Sequence, residues 1–500
     1  MPPTQGVVHP EPKLVRAAAA LDAGRTPEAE ALLMELTQGT QTDAGALAML
    51  AELRQTQSRH AEACNLYRAA LRLQPRHYGA LCNLGILESE AGHFDTCETL
   101  LRAAIATEPS RPNAYINLGI ALEVAGRHTE ALVLYRTALT VQPGNALGYF
   151  NLGNANLALG RLDAAIDSWR DTLACDPGFG DAHWNLAQAL ILRGDFAAGW
   201  QALEQRWRSS AFAGFLPAWA QPHLQWQGED LNGKTILLWG EQGFGDQIQF
   251  ARFAAAVAKR GGVVTLAVRR PLQALCASIE GVSTCVELDQ APPAFDVHCA
   301  LFDLPHRLGI TRESIPAAAY LRAPDAKVRD WATRMPPARR LRVGLIWSSG
   351  IALHNPQLLK GSAIRSVERD VFAPLWQMHA DFFCLQVDAP DAAAATPMID
   401  WSGELHDFAD TAALMCNLDL VISVDTAGAH LAGALGLPVW ILLRQPPDWR
   451  WGEGASASAT STPWYASAHL FRQRSAGDWR APVADVTQAL AGLIAGRALA

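Results

Sequence analysis

Residues 237–253 read LLWGEQGFGDQIQFARF, a strand, a glycine-rich turn and a helix start. Gly240, Gly243 and Gly245 allow a tight backbone and close approach of a ligand. Asp246 falls at the helix N-terminus, where the helix dipole stabilises its charge and lowers its pKa. A carboxylate in that place either caps the helix or acts on a ligand. A second stretch, DLVISVDTAGAHLAGALGLPVWILL (419–443), is more specific. A buried strand ends in Asp425, and the small-residue turn TAGAH feeds a helix whose free N–H groups suit a phosphate or diphosphate. Asp425 and His430 flank that anion site. The alternative is a strand–helix turn capped by Asp and Thr, with a packed histidine.

These stretches need elements to position them. Beyond residue 207, short apolar strands alternate with helical stretches. One group is TILLWGE (235–241), VVTLAVR (263–269) and FDVHCAL (295–301). A second is LRVGLIW (341–347), FFCLQV (382–387), LVISV (420–424) and PVWILL (438–443). The charged, proline-bearing stretch 324–340 separates them. Two such groups predict two Rossmann-like domains, at 208–325 and 340–490, with ligands at the C-terminal strand ends in the cleft between them. The helical stretch APVADVTQALAGLIAG is expected to cross back and brace the first of these domains.

The first half is periodic. Gly24, Gly92, Gly126, Gly160 and Gly194 fall on a 34-residue grid, with Ser58 in the remaining slot. Pro75, Pro109, Pro143 and Pro177 share the period, as do Leu50, Leu84, Leu118, Leu152 and Leu186. So do the small residues Ala29, Ala63, Cys97, Ala131, Ala165 and Gly199. The glycine slot ends one helix of each unit, the small residue admits the neighbouring helix, and the proline stops the second helix. This pattern resembles the tetratricopeptide repeat over residues 10–207, about six units, the first and last irregular as capping repeats are. Asn83, Asn117, Asn151 and Asn185 lie on the same grid. Asparagine is a poor helix residue, yet an amide on the concave face of such a superhelix can grip the backbone of an extended peptide. The row is similar to the asparagine ladder of the protein O-GlcNAc transferases. The plainer reading is that asparagine is common in this slot of the repeat.

Composition narrows the class. A formal charge of −8 gives no reason to expect nucleic acid or an anionic membrane as partner. Nine scattered cysteines, with no CxxC pair, point to a reducing compartment. No signal peptide and no transmembrane segment are expected, and the cytoplasm is the expected location.

GEQGFGDQIQFARF, HDFADTAAL (406–414), VISVDTAGAHLAGALGLPVW and PDWRWG (447–452) together resemble glycosyltransferase family 9, the heptosyltransferase type, on the GT-B fold. They resemble most the subgroup in which this module follows tetratricopeptide repeats. The resemblance covers residues 220–490. It implies that Gly245–Asp246 supplies the catalytic base, and that Asp425, Thr426, Gly428 and His430 hold a nucleotide-sugar donor, with the glycine displaced by one residue. It implies a basic contact to the donor phosphates, for which Arg365 is the first candidate and Lys360 the second. It implies a metal-independent enzyme with no cofactor, and a protein acceptor recruited by the repeats, flagellin or another surface protein. Two alternatives stand beside this: a lipid-linked saccharide as acceptor, and a non-catalytic repeat scaffold with an inactive second half. The fold class expected is α plus α/β.

Overall fold

The computed structural model describes residues 11–38, 42–212, 214–349, 364–387, 396–452 and 459–499. The chain forms two compact units that divide between Ala182 and His183.

The first unit is built of helix pairs: Glu11–Asp22 with Thr26–Thr37, Ala44–Thr56 with His60–Leu73, Tyr78–Glu90 with Phe94–Thr107, Pro112–Val124 with His128–Val141, and Ala146–Ala158 with Leu162–Cys175. Each grid column has a visible cause. The slot after each first helix is left-handed: Gly92 has φ 82°, Gly126 76°, and Ser58, the one side chain there, is held at 59°. Each grid proline lies two residues past the end of a second helix, where a missing N–H costs nothing. Ala29, Ala63, Cys97, Ala131 and Ala165 are fully buried. In three of the first helices a glycine faces a large side chain of the second: a methyl on Gly85 would lie 2.8 Å from Leu101, one on Gly119 2.4 Å from the Tyr135 ring, and one on Gly153 2.5 Å from that of Trp169.

The second unit opens with helices ending at Arg193 and Leu203, then two all-parallel sheets. The first consists of β1 (Thr235–Trp239), β2 (Val263–Val268), β3 (Val282–Glu287) and β4 (Val297–Ala300), in the order β3-β2-β1-β4. The second consists of β5 (Leu341–Ile346), β6 (Ala380–Cys384), β7 (Ile399–Asp400), β8 (Leu420–Val424), β9 (Val439–Leu443) and β10 (Ala468–Arg472), in the order β10-β9-β8-β5-β6-β7. The expected class, α plus α/β, is therefore observed. Strands β3, β7 and β10, which the apolar runs did not reveal, all lie at or beside sheet edges. One buried core joins the two sheets, running from Ile236, Leu238 and Phe250 to Val421, Leu431 and Ile441.

The last helix, Arg480–Leu499, differs from expectation. Val483, Val486 and Leu490 pack with Leu341, Ile422 and Phe471, so it covers the second sheet and does not return to the first. Those three residues sit at i, i+3 and i+7, one apolar stripe, and the nearest sheet satisfies it.

Candidate functional site

Two strand–helix turns build the site. The helix Phe244–Ala251 follows β1, and the helix Ala427–Ala434 follows β8. Both start at the C-terminal ends of parallel strands, and their first turns meet. A methyl on Gly245 would lie 2.9 Å from Cδ2 of His430 and 3.5 Å from Cα of Ala427. Glycine is needed there for approach, since its φ is ordinary. Gly240 serves similarly, with the Gln247 side chain 2.6 Å from the place of a methyl. Gln247 then accepts the Arg269 N–H at 2.9 Å, tying the helix to the end of β2.

The loop before the first helix rests on a buried ionic cluster. Arg206 donates to both oxygens of Glu241, at 2.8 and 2.6 Å, and to Asp303 at 2.5 Å. All three side chains are almost wholly buried. Burial pushes the Glu241 carboxyl up, and the Arg206 guanidinium pulls it back. Arg206 thus fixes the start of the glycine-rich turn from the 3-10 segment Glu204–Arg208.

Asp246 caps its helix and also faces the second sheet's domain. One oxygen accepts the Gly243 N–H at 2.9 Å. The other pairs with Arg450. Arg450 also donates through Nε to Gln249 at 2.9 Å and through Nη1 to Asp448 at 2.7 Å. Its backbone is fixed: Asp448 accepts its N–H at 3.1 Å, and the Trp464 indole donates to its carbonyl at 2.9 Å. The guanidinium lies over the Trp449 ring at 4.2 Å. Trp449 belongs to an aromatic block with Trp200, Phe250, Phe302 and Trp464, in which edge-to-face pairs are each worth about 0.5–1.5 kcal/mol.

Asp425 is buried at the end of β8. Burial raises its pKa; Arg365, a hydrogen bond with Trp451, and Arg444 oppose that rise. Burial, then the charge of Asp425, push Asp448 up to about 7. Arg365 acts on Asp425, Asp448 and His430 alike, which sets it among these groups. Thr426 is the helix N-cap, its hydroxyl 3.1 Å from that of Ser423. Gly428 is a packing glycine: a methyl there would lie 2.1 Å from Cδ1 of Ile346. His430 is buried, 2.8 Å from the Tyr465 hydroxyl through Nδ1 and stacked on Trp451 at 5.0 Å. Burial, with help from Arg252 and Arg365, pushes it down to about 3, so the ring is neutral. Lys360 lies outside the described residues.

The structure therefore brings Asp246 together with the Asp425–His430 turn. It adds Arg450, Asp448, Gln249 and Tyr465, to which sequence reading gave no role. The signal for Arg450 was an arginine set between two tryptophans in PDWRWG. The asparagines lie apart. Asn83 spends its amide on the Tyr67 hydroxyl at 3.1 Å. Asn151 is buried with Nδ2 lacking a partner. Asn117 and Asn185 are half-buried, and Asn185 falls in the second unit.

Comparison with known proteins places the repeats. A family model described as the tetratricopeptide repeat matches residues 82–146, 125–178 and 150–213, and a second of the same description matches 10–33. Protein FlbA of Caulobacter vibrioides is 28% identical over 338 residues, which cover 60% of this chain. The chain spans about half of FlbA, 53% of its length. Among solved structures, MamA covers 33% of the chain and 97% of itself at 19% identity, with a TM-score of 0.30. A thermophilic TPR protein of Thermus thermophilus covers 36% and 99% at 19% identity, TM-score 0.32. Pseudomonas aeruginosa PilF covers 40% and 93% at 17% identity, TM-score 0.37. No helix among the described residues is long and apolar enough to cross a membrane. The chain thus carries N-terminal tetratricopeptide repeats followed by a region of two parallel sheets.

Proposed function

We propose that the protein is a glycosyltransferase of GT-B type, in which 208–325 and 340–490 are the two Rossmann-like halves and 10–207 recruits a protein acceptor. The observation that carries this reading is the meeting of the two helix starts, with Gly245 against His430 and Ala427. It puts a carboxylate from one half beside a helix start of the other, an arrangement that supports sugar transfer from a nucleotide. The amides of Ala429 and His430 already donate to the Thr426 carbonyl. The donor phosphate is assigned to the helix start at Ala427 and Gly428, with Arg365 as its cation. The acceptor hydroxyl oxygen attacks the anomeric carbon and gives its proton to Asp246. The bond from that carbon to the phosphate oxygen breaks, and the nucleotide leaves with the electron pair. His430, neutral and held by Tyr465, orients the turn and carries no proton in the step.

The repeats support a protein acceptor, with flagellin or another surface protein as the class suggested by the resemblance. The asparagine row would hold its backbone, the half-buried Asn117 first. The test is hydrolysis and transfer from UDP-, GDP-, dTDP- and CMP-sugars by the full chain. Asp246→Ala is expected to lower turnover by roughly a hundredfold or more while nucleotide binding persists. A variant that keeps most of the activity removes Asp246 as the base, and absence of any nucleotide binding removes the reading itself.

A further inference from the structure

We propose that Arg450 guards Asp246 and is drawn off it by the phosphate of the donor, so that the base is released only when a donor is bound. The inference rests on the glycosyltransferase reading. Its geometry is that of a fixed root and a head that spans two halves. The backbone of Arg450 is held by Asp448 and Trp464, and the guanidinium, which lies over Trp449 and donates to Asp448, reaches across to Asp246 and Gln249 on the other half. A carboxylate paired with a guanidinium is a weak base, because the pair stabilises the ionised form. The helix start assigned to the phosphate touches the helix of Asp246 through Ala427 and Gly245. A phosphate at that start, next to the helix whose Asp246 Arg450 pairs with, would offer the guanidinium a second, more highly charged partner. Once Arg450 turns to the phosphate, Asp246 loses its cation and faces a new anion, and both changes raise its affinity for the acceptor's proton. Arg450 is thus a positioning residue that couples donor occupancy to the chemistry.

The charged groups around Asp246 are Arg450 and Asp448 on the facing turn, His430 across Gly245, Asp425 with Arg365 and Arg444 behind it, and Arg252 at the C-cap of its own helix. The test reads proton linkage. UDP, GDP, dTDP and CMP are titrated calorimetrically into the full chain near pH 5.5, in buffers of different ionisation enthalpy. The nucleotide's own ionisation is common to every variant. Net proton uptake is expected in the parent protein, lost in Asp246→Asn, reduced in Arg450→Gln and restored in Arg450→Lys. Binding without uptake overturns the proposal. So does uptake that survives Asp246→Asn, and uptake lost instead in Asp448→Asn places the proton on Asp448. Failure of all four nucleotides to bind overturns the glycosyltransferase reading, and this inference with it. Tryptophan fluorescence checks that each variant is folded.

Discussion

Gly245 and His430 touch so closely that a single methyl on the glycine would lie 2.9 Å from the imidazole Cδ2. The ring cannot yield cheaply, since Tyr465 holds Nδ1 at 2.8 Å and Trp451 stacks on its face. Gly245→Ala is therefore expected to destabilise the second unit by about 1–3 kcal/mol and to weaken the proposed nucleotide binding by moving the two helix starts apart. Gly403→Ala, where nothing lies within 4 Å of the added methyl, is the control and should stay within about 0.5 kcal/mol. Urea unfolding followed by tryptophan fluorescence checks this, because every tryptophan but Trp169 lies beyond residue 182.

The repeat array offers a substitution of opposite sign. Ser58 holds φ 59° in a slot where the other repeats place glycine. A left-handed conformation costs an L-residue about 1–2 kcal/mol, part of which glycine returns through its greater freedom in the unfolded chain. Ser58→Gly is expected to stabilise the array by about 0.5–1 kcal/mol, seen as a higher urea midpoint by far-UV circular dichroism. Gly126→Ala should move the midpoint the other way.

Histidine burial sets a pH dependence. His430 is held neutral, its pKa pushed down to about 3, whereas an unfolded histidine takes a proton below about 6.5. Its contribution is fully present above 6.5 and is lost as pH falls toward 3, because the unfolded state gains the proton first. At pH 5 the loss from this residue alone is about 2 kcal/mol. His430→Gln keeps a polar partner for Tyr465 and cannot be protonated, so its stability should fall less steeply between pH 6.5 and 5. An equally steep fall would assign the acid limb to other groups.

Much of the fold was open to inspection in the residue pattern, for a physical reason. Each repeat column reports a local requirement: a left-handed turn at Gly126, a close approach at Gly119, a helix stop at Pro143. Interior strands such as β8, LVISV, are buried at every residue and apolar at all but Ser423, because both faces are covered. Strand β3, VSTCVE, is half-exposed on the sheet edge, so its run of polar residues hid it. The site divides in the same way. Asp246 and Asp425 stood out because local chemistry marks them, a carboxylate at a helix start and one at a strand end. Arg450 did not, because its meaning lies in a partner 204 residues away. The direction of the Arg480–Leu499 helix was equally hidden, since an apolar stripe does not say which sheet it will meet.

The strand order of the second sheet also sets an order of events as the chain is made. Its middle pair is β5 and β8, and between them in sequence lie β6 and β7, which join only at the far side. Its outer strand, β10 (Ala468–Arg472), comes last of the strands in sequence. Each helix pair of the first unit, by contrast, closes within some 30 residues of its own beginning. Short-range contacts form early, and long-range parallel pairing waits for distant chain and folds slowly. During synthesis the array is therefore complete while the second sheet is still being assembled.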